Sequence, residues 1–484
     1  MFKSANDEMI KLPPSSDSPG EAKVRTQSVG LWTLVVIIFS NVGSGPAGIE
    51  GIIGSAGIII GLLAIVVFPL FWGYVQAFLS AELSIQYNKH NGGLPAWCMR
   101  QNNKALAFNT ALWILAIETS TAALVSEASV EYLRTVLPWF HSYGPRFGLS
   151  LAIIALSFCF NFVSIRFSTT VFKNFIAFTL VVFGLLVGFS VPHLDWSRSK
   201  QNPVKEYNNV DWALLVNLLI FNSAGFDAGG SIIAYVGKPR RTVPRAMVVV
   251  GFATTALYIV TLYFPYIAVQ DKREDWQAGH LSVVALELGG KWLQALVIVA
   301  CFIINLQVYS ISLQTAAYTT AAMAEQNVFP KQIGVGRYKL TLNHRTSRDT
   351  PSHALVLCGC LSAVFAAAPF VVNLAIESVL YSAVMFAQAG CMLMLEEKGR
   401  LFVPQKRRWR LVVIVIPVLL ATWVIVVQSR PLLLGMLSVV ILVALASIGL
   451  DFTTEAQPST TLHTARVRSV SYLDAAEQDD QMDV

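Results

Sequence analysis

The chain has 484 residues, of which 55% are hydrophobic and only 13% are charged, whereas roughly 25% of the residues in a soluble domain carry a charge. Its net charge of +6 comes largely from basic residues in short segments between apolar runs, so it does not indicate nucleic-acid binding. Several runs reach the roughly 20 residues that cross a bilayer core. Because lipid offers the backbone no hydrogen-bond partner, such runs must be helical, and we predict an all-α membrane protein.

The apolar runs predict about twelve transmembrane helices, which we call spans. They lie at residues 30–56, 58–86, 105–133, 147–164, 170–191, 211–235, 246–269, 291–322, 354–371, 374–395, 411–428 and 431–450. The ninth and tenth spans are so close that a tight turn must join them, and Pro369 lies where this turn is needed.

Polar segments flank the predicted twelve-helix domain, which extends over residues 29–451. Residues 1–28 lack the apolar core of a cleavable signal peptide, and we expect them and residues 452–484 to form tails. With the N-terminus in the cytoplasm, the cytoplasmic segments hold 26 of the 35 Lys and Arg residues. The positive-inside rule therefore predicts that both tails are cytoplasmic, and we expect the plasma membrane rather than an internal membrane.

Two spans are interrupted by helix-breaking residues, the first by GSGPAG at 43–48 and the sixth by NSAGFD at 222–227. Such breaks free backbone groups, which is tolerated at membrane depth only where the chain lines a cavity or is buried in protein. Their positions predict a leucine-transporter-like (LeuT-like) 5+5 inverted repeat, with residues 30–191 and 211–395 as the repeats and two extra helices at 411–450. The alternative is two helices that kink only for packing.

The residues around these breaks carry a family resemblance. They are FSNVGSGPAGIE at 39–50, Pro69, Trp72, AEL at 81–83, NGG at 91–93, Asp211-Trp212, the stretch 222–227 and KPRRTVPRA at 238–246. Together they resemble the amino acid–polyamine–organocation (APC) superfamily, and within it the polyamine-uptake and L-amino-acid transporter branch of plants and protists. The resemblance covers residues 28–335 well and the last third weakly.

This resemblance implies an alternating-access carrier, commonly proton-coupled, that holds its substrate between the first, third, sixth, eighth and tenth spans. It also implies that Phe226 occupies the place of the aromatic gate, where the branch more often has tryptophan. In some members a lysine replaces a sodium ion at the position of Thr179. A hydroxyl there leaves sodium coupling open beside proton coupling.

The first break supplies the first predicted substrate-binding residues. Free amide groups at Gly43, Ser44 and Gly45 and the N-terminus of the next half-helix predict a nest for a substrate carboxylate; the alternative is a flexible hinge. Glu50 lies one turn further on. Because a carboxylate at lipid depth usually faces a partner or a cavity, we predict that it is the counter-ion of a substrate ammonium, unless it reaches water.

The second break completes the predicted site with Asn222, Gly225, Phe226 and Asp227. Phe226 is predicted to lie over an amine by cation–π attraction or to exclude water. Asp227 is predicted to bind a second amine or to carry the coupling proton. The alternative for Asp227 is to cap the following half-helix.

Acidic residues in other spans add candidates. Glu118 and Glu127 lie nine residues apart in the third span, so they point in opposite directions on a helix, and Glu118 is the predicted pocket residue. Glu377 in the tenth span is a further coupling candidate. Glu82 is interpreted as a gate or a structural pair, and Lys173 is the chief intramembrane base, although it lies near the cytoplasmic end.

The sequence predicts no metal and no cofactor. The six cysteines fall in or beside apolar segments without the spacing of a metal site, and we interpret them as small core residues. An enzyme is not predicted, because the seven histidines lie mostly in predicted loops and tails.

The abundance of intramembrane acids over bases favours a cationic substrate. We therefore predict a secondary active transporter for proton-coupled uptake of polyamines or cationic amino acids. Its partners are a small cationic or zwitterionic amine and the lipid bilayer, and an accessory subunit is left open. A neutral L-amino-acid carrier is the first alternative, and a non-transporting nutrient sensor is a more distant one.

Overall fold

A computed structural model describes residues 30–42, 45–87, 92–161, 165–197, 209–226, 236, 238–335, 338–344, 346, 350–395, 415, 418–426 and 428. Its helices are α1 Leu31–Val42, α2 Gly51–Ala56, α3 Ile58–Phe71, α4 Gly73–Gln86, α5 Gly93–Arg100, α6 Lys104–Arg134, α7 Tyr143–Phe160, α8 Ile165–Ser190, α9 Trp212–Phe221, α10 Pro239–Ala268, α11 His280–Glu325, α12 Ser352–Phe365 and α13 Phe370–Met394. Strands β1 Gln332–Val335 and β2 Tyr338–Thr341 form an antiparallel hairpin after α11. Residues 418–426 are also helical.

Seven helical segments of the described chain are long and apolar enough to cross a membrane. They are Ile58–Gln86, Lys104–Arg134, Tyr143–Phe160, Val171–His193, Pro239–Ala268, His280–Glu325 and Phe370–Met394. Three shorter apolar helices, α1, α9 and α12, accompany them. Of these, α1 and α9 are the first parts of the two spans predicted to be interrupted. The predicted span at 431–450 lies outside the described residues, and the span at 411–428 is described only in part.

Three local features refine the predicted spans. The backbone at Trp72 separates α3 from α4 within the predicted span 58–86. Helix α11 begins at His280, eleven residues before the predicted start, but its backbone is non-helical at Gly290, with φ of 77°. Helix α5 occupies a segment predicted as a loop. Its Leu94 and Trp97 are buried, so apolar packing orders a helix that is too short to span a bilayer.

Helices α6, α11 and α13 form the centre of the molecule. Within the most apolar 18-residue stretch of each helix, 78% of the residues are buried in α6 and 67% in both α11 and α13, against 22% in α7 and 28% in α8. The two latter helices keep apolar faces exposed, as lipid-facing helices do. Polar bonds join the central helices to each other and to α1: Asn305 donates to Ser129 Oγ at 3.0 Å, and Gln307 contacts Ser40 Oγ.

The short helix α2 is held by the segment that follows α10. Arg273 Nε donates to the Gly54 carbonyl at 3.0 Å, and its Nη2 donates to the carbonyls of Ser55 and, at 2.9 Å, Asn209. These bonds satisfy carbonyls that a helix C-terminus leaves free. Gly54 packs so closely that a Cβ atom there would overlap the Trp276 carbonyl oxygen.

We predict that Gly54→Ala destabilises the protein, because its methyl group has to displace the backbone at Trp276. Overpacking of this kind costs about 1–3 kcal/mol. The matched control is Gly188→Ala in α8, where no atom lies within 4 Å of the added Cβ. Thermal unfolding in detergent should show a lower midpoint for Gly54→Ala alone. Equal midpoints for the two variants would contradict the observed packing.

Candidate functional site

The two interrupted helices meet where their helical backbone stops. Helix α1 ends at Val42 and α9 ends at Phe221. Asn41 Nδ2, in the last turn of α1, donates to the Gly225 carbonyl at 3.2 Å. Gly225 has φ of 97°, and a Cβ atom there would lie 2.9 Å from Asn41 Nδ2. Glycine is therefore needed at this position, both for the backbone conformation and for the close approach.

A central cavity lies at this junction. It contains about 480 Å³ of space free of protein atoms, which includes space open to solvent. The two breaks contribute Asn41, Val42, Gly45, Ala47, Phe221, Asn222 and Ala224 to its lining. The remaining lining residues come from α6, α10, α11 and α13, so the predicted first, third, sixth, eighth and tenth spans all reach the cavity.

Two carboxylates give the cavity its charge. Glu118 on α6 and Glu377 on α13 line it, and the described lining contains no Lys, Arg or His. Glu377 Oε1 accepts a hydrogen bond of 3.0 Å from Thr121 Oγ1. Because Thr121 and Glu118 are three residues apart on one helix, they are neighbours on its surface. Glu377 of α13 therefore lies at the level of Thr121, about one helical turn along α6 from Glu118.

Glu377 retains an unused acceptor. Its side chain is 2% exposed, and its Oε2 atom has no hydrogen-bond partner among the described residues. The C-terminal ends of α1 and α9 also face the cavity, and such ends carry partial negative charge. The central cavity, which we also call the chamber, is therefore suited to a positively charged ligand, such as an ammonium with its hydrogen-bond donors or a proton.

Gly45 lies on the lining of the cavity, and it allows the first break to approach α11. A Cβ atom at Gly45 would overlap the side chain of Ile304. Gly43 and Ser44 lie outside the described residues. The carboxylate nest proposed for this stretch stays a prediction.

Glu50 lies behind the cavity rather than on its lining. It is fully buried; its Oε1 atom accepts hydrogen bonds from Tyr132 Oη of α6 and, at 3.3 Å, from Gly279 N. Its Oε2 atom has no partner among the described residues. These contacts tie the start of α2 to α6 and to the segment before α11, while the counter-ion role stays a prediction.

The residues of the second break divide between two cavities. Asn222 lines the central cavity and also a second, apolar cavity of about 410 Å³, where Phe226 lies. The ring of Phe226 is 3% exposed and packs 6.5 Å, between centroids, from that of Tyr74. The aromatic residue that α9 contributes to the lining of the central cavity is Phe221. Asp227 lies outside the described residues.

The remaining coupling candidates lie away from the central cavity. Thr179 is buried in α8, and its hydroxyl has no partner among the described residues. Lys173 is on the exposed side of the same helix. Glu82 is buried in α4, where it interacts with other residues.

Several lining residues were not singled out from the sequence. Thr121 follows Glu118 by three residues, and Asn305, Val308 and Ser312 lie on one face of α11 because they are spaced by three and four residues. The sequence did contain a signal for these lining residues, namely isolated polar side chains at helical spacing within an apolar run.

Comparison with known proteins adds an independent observation. A family model described as amino acid permease matches residues 29–456. A probable polyamine transporter of Arabidopsis thaliana is 28% identical over 316 residues, which cover 65% of this chain and 63% of the relative. The polyamine transporter PUT1 of Oryza sativa subsp. japonica is 27% identical over 324 residues, which cover 66% of this chain and 59% of the relative. The matched segments thus span less than two thirds of these relatives.

We predict that Tyr132→Phe destabilises the protein, because it removes a hydroxyl donor from the fully buried Glu50 carboxyl. Leaving a buried acceptor without its partner costs about 1–3 kcal/mol. Tyr143→Phe is the control, since the Tyr143 hydroxyl bonds the Ala367 carbonyl at an exposed site. Thermal unfolding of Tyr132→Phe, of Glu50→Gln and of the double variant, beside the Tyr143→Phe control, measures the coupling. Additive losses in the double variant would contradict an energetic link between the two side chains.

Proposed function

Because this chain belongs to the amino acid permease family, we propose that it is a membrane carrier that transports small cationic amines, polyamines foremost, by alternating access. The observation that carries the proposal is a chamber between two interrupted helices that is lined by Glu118 and Glu377 and, among its described residues, by no basic side chain. The relatives named as polyamine transporters support the same substrate class.

The carboxylates favour a substrate with more than one ammonium group. Glu377 offers its free Oε2 atom to one ammonium, and Glu118, about one helical turn away, adds a second acidic side chain to the lining of the same cavity. The rings of Tyr258 and Tyr381, which also line the cavity, provide faces that attract cations and pack against methylene groups. A neutral amino acid would leave this negative charge uncompensated, so neutral L-amino-acid transport is the second candidate.

The proposed architecture is a twelve-helix, LeuT-like 5+5 repeat with both termini in the cytoplasm. The convergence of α1 and α9 at their breaks supports the repeat, and the asymmetric distribution of Lys and Arg supports the orientation. We place the carrier in the plasma membrane on the prediction from sequence alone.

Proton coupling is expected if Glu377 binds a proton and a substrate ammonium in alternation. A carboxyl with an unused oxygen in a chamber whose described lining has no base is neutralised either by a proton or by a substrate ammonium. Binding of one then displaces the other, which links their movements across the membrane. Sodium coupling through Thr179 is the alternative coupling mode.

A carrier is also distinguished from a sensor or an enzyme by its action. A carrier exchanges labelled substrate across a liposome membrane when unlabelled substrate is present inside, whereas a sensor only binds it. Counterflow without chemical change of the substrate therefore supports a carrier over both.

We predict that wild-type protein in liposomes takes up putrescine and spermidine in preference to arginine and leucine. Glu377→Gln and Glu118→Gln should each lower the kcat/KM of polyamine uptake by roughly 10- to 100-fold, because a hydrogen bond to a charged group contributes about 1.5–3 kcal/mol.

The control for these variants is Glu287→Gln, which neutralises an exposed carboxylate on α11 and should leave uptake unchanged. Leucine uptake that exceeds putrescine uptake, or wild-type kinetics in Glu377→Gln, would overturn the proposed substrate site.

We predict that an outwardly directed proton gradient, with the acid side inside, accelerates wild-type uptake, because each ammonium that enters displaces a proton from Glu377, and that a sodium gradient of equal size does not. Glu377→Gln cannot gain or lose a proton, so its remaining uptake should be insensitive to the proton gradient while counterflow persists. Measurement with and without a protonophore provides the check. A Glu377→Gln variant that still responds to the proton gradient would assign coupling to another group.

A further inference from the structure

Two buried thiols face each other where α5 meets α13. Cys98 Sγ and Cys391 Sγ are 3.3 Å apart, although the residues are 293 positions apart in the chain. Both side chains are fully buried. Neither contributes to the lining of the central cavity, so the proposed transport site gives no reason for this pairing.

The residues around the two thiols connect three helices, α5, α6 and α13. Thr110 Oγ1 of α6 lies 4.0 Å from Cys98 Sγ, and Gln101 Nε2, just after α5, donates to the Cys391 carbonyl at 2.8 Å. Helix α6 carries Glu118 and Thr121, and α13 carries Glu377. The thiols therefore lie between the two helices that hold the carboxylates of the chamber, at a distance from the chamber itself.

The geometry allows a covalent bond after a small displacement. A disulfide has an S–S length of about 2.05 Å, so the sulfurs have to approach by a little over an ångström. Exposed residues follow both thiols in the chain, Arg100 two positions after Cys98 and Met394 three positions after Cys391. Both thiols thus lie in the last turn of their helices, next to exposed ends of α5 and α13.

We propose that Cys98 and Cys391 form an oxidation-sensitive staple that locks α13 to α5 and stops transport. A peroxide first converts one thiol to a sulfenic acid and releases water. The second thiol then attacks that sulfur, the S–S bond forms, and a second water leaves. The bond ties α13, which carries Glu377, to α5, so any step that moves these two helices relative to each other is blocked until a thiol reductant cleaves the disulfide.

The staple is tested on the purified full-length chain treated with hydrogen peroxide. Peptide mapping under non-reducing conditions should reveal a 98–391 disulfide in the wild type and in Cys159→Ser/Cys360→Ser, which lacks the two exposed cysteines. It should be absent in Cys98→Ser and in Cys391→Ser. Failure to find the cross-linked peptide overturns the proposal, and this readout needs no substrate.

The functional consequence rests on the proposed transport activity. Polyamine uptake by wild-type liposomes should fall in proportion to the cross-linked fraction and return after treatment with dithiothreitol, whereas uptake by Cys98→Ser should be unaffected by peroxide. Unchanged uptake by a fully cross-linked sample, or equal inhibition of Cys98→Ser, overturns the lock. If the reduced wild type transports no polyamine, the proposed function fails while the mapping still decides whether the staple forms.

Discussion

The main constraint on this molecule comes from its interrupted helices. Their ends carry unpaired backbone groups, which cannot be left in lipid. Helix α1 stops at Val42 and α9 at Phe221, and the last carbonyls of each have no partner within their helix. Within a bilayer every such group costs several kcal/mol unless protein or water satisfies it. The chain responds by bringing the ends together through Asn41 and Gly225 and by enclosing them with α6, α11 and α13. A polar chamber at the centre of an apolar protein is the result.

The chamber is negative because its acidic side chains add to the helix C-terminal ends. Thr121 satisfies one oxygen of Glu377, and the other has no partner in the described structure. Removing ionised groups from water without a counter-charge is costly, so such a chamber gains free energy from any cation that fits. A proton and an organic ammonium both meet this need, which is the physical basis of the coupling proposed above.

Much of the fold was accessible from the sequence, because apolar length and helix breakers act locally. The resemblance to the APC superfamily is confirmed by the amino acid permease match. Helical spacing predicted that Glu118 and Glu127 point in opposite directions; Glu118 lines the cavity, and Glu127 bonds Arg146 of α7. The positions of Glu50 and Phe226 depend on the rotation of residues close to a break. There the helical period no longer applies, so sequence spacing could not place them relative to the cavity. Helix α5 was missed because tertiary packing alone orders so short an apolar segment.

Helix α2 has only six residues, and a helix of this length is not stable in isolation. Its C-terminal carbonyls depend on Arg273, and its first turn depends on Gly279 through Glu50. These partners are synthesised more than two hundred residues after α2 itself. During biosynthesis the bond between Glu50 and Tyr132, 82 residues apart, can form first, whereas the bonds to Arg273 and Gly279 have to wait until the ribosome has completed the segment after α10. The first span acquires its final form late, although it is made early.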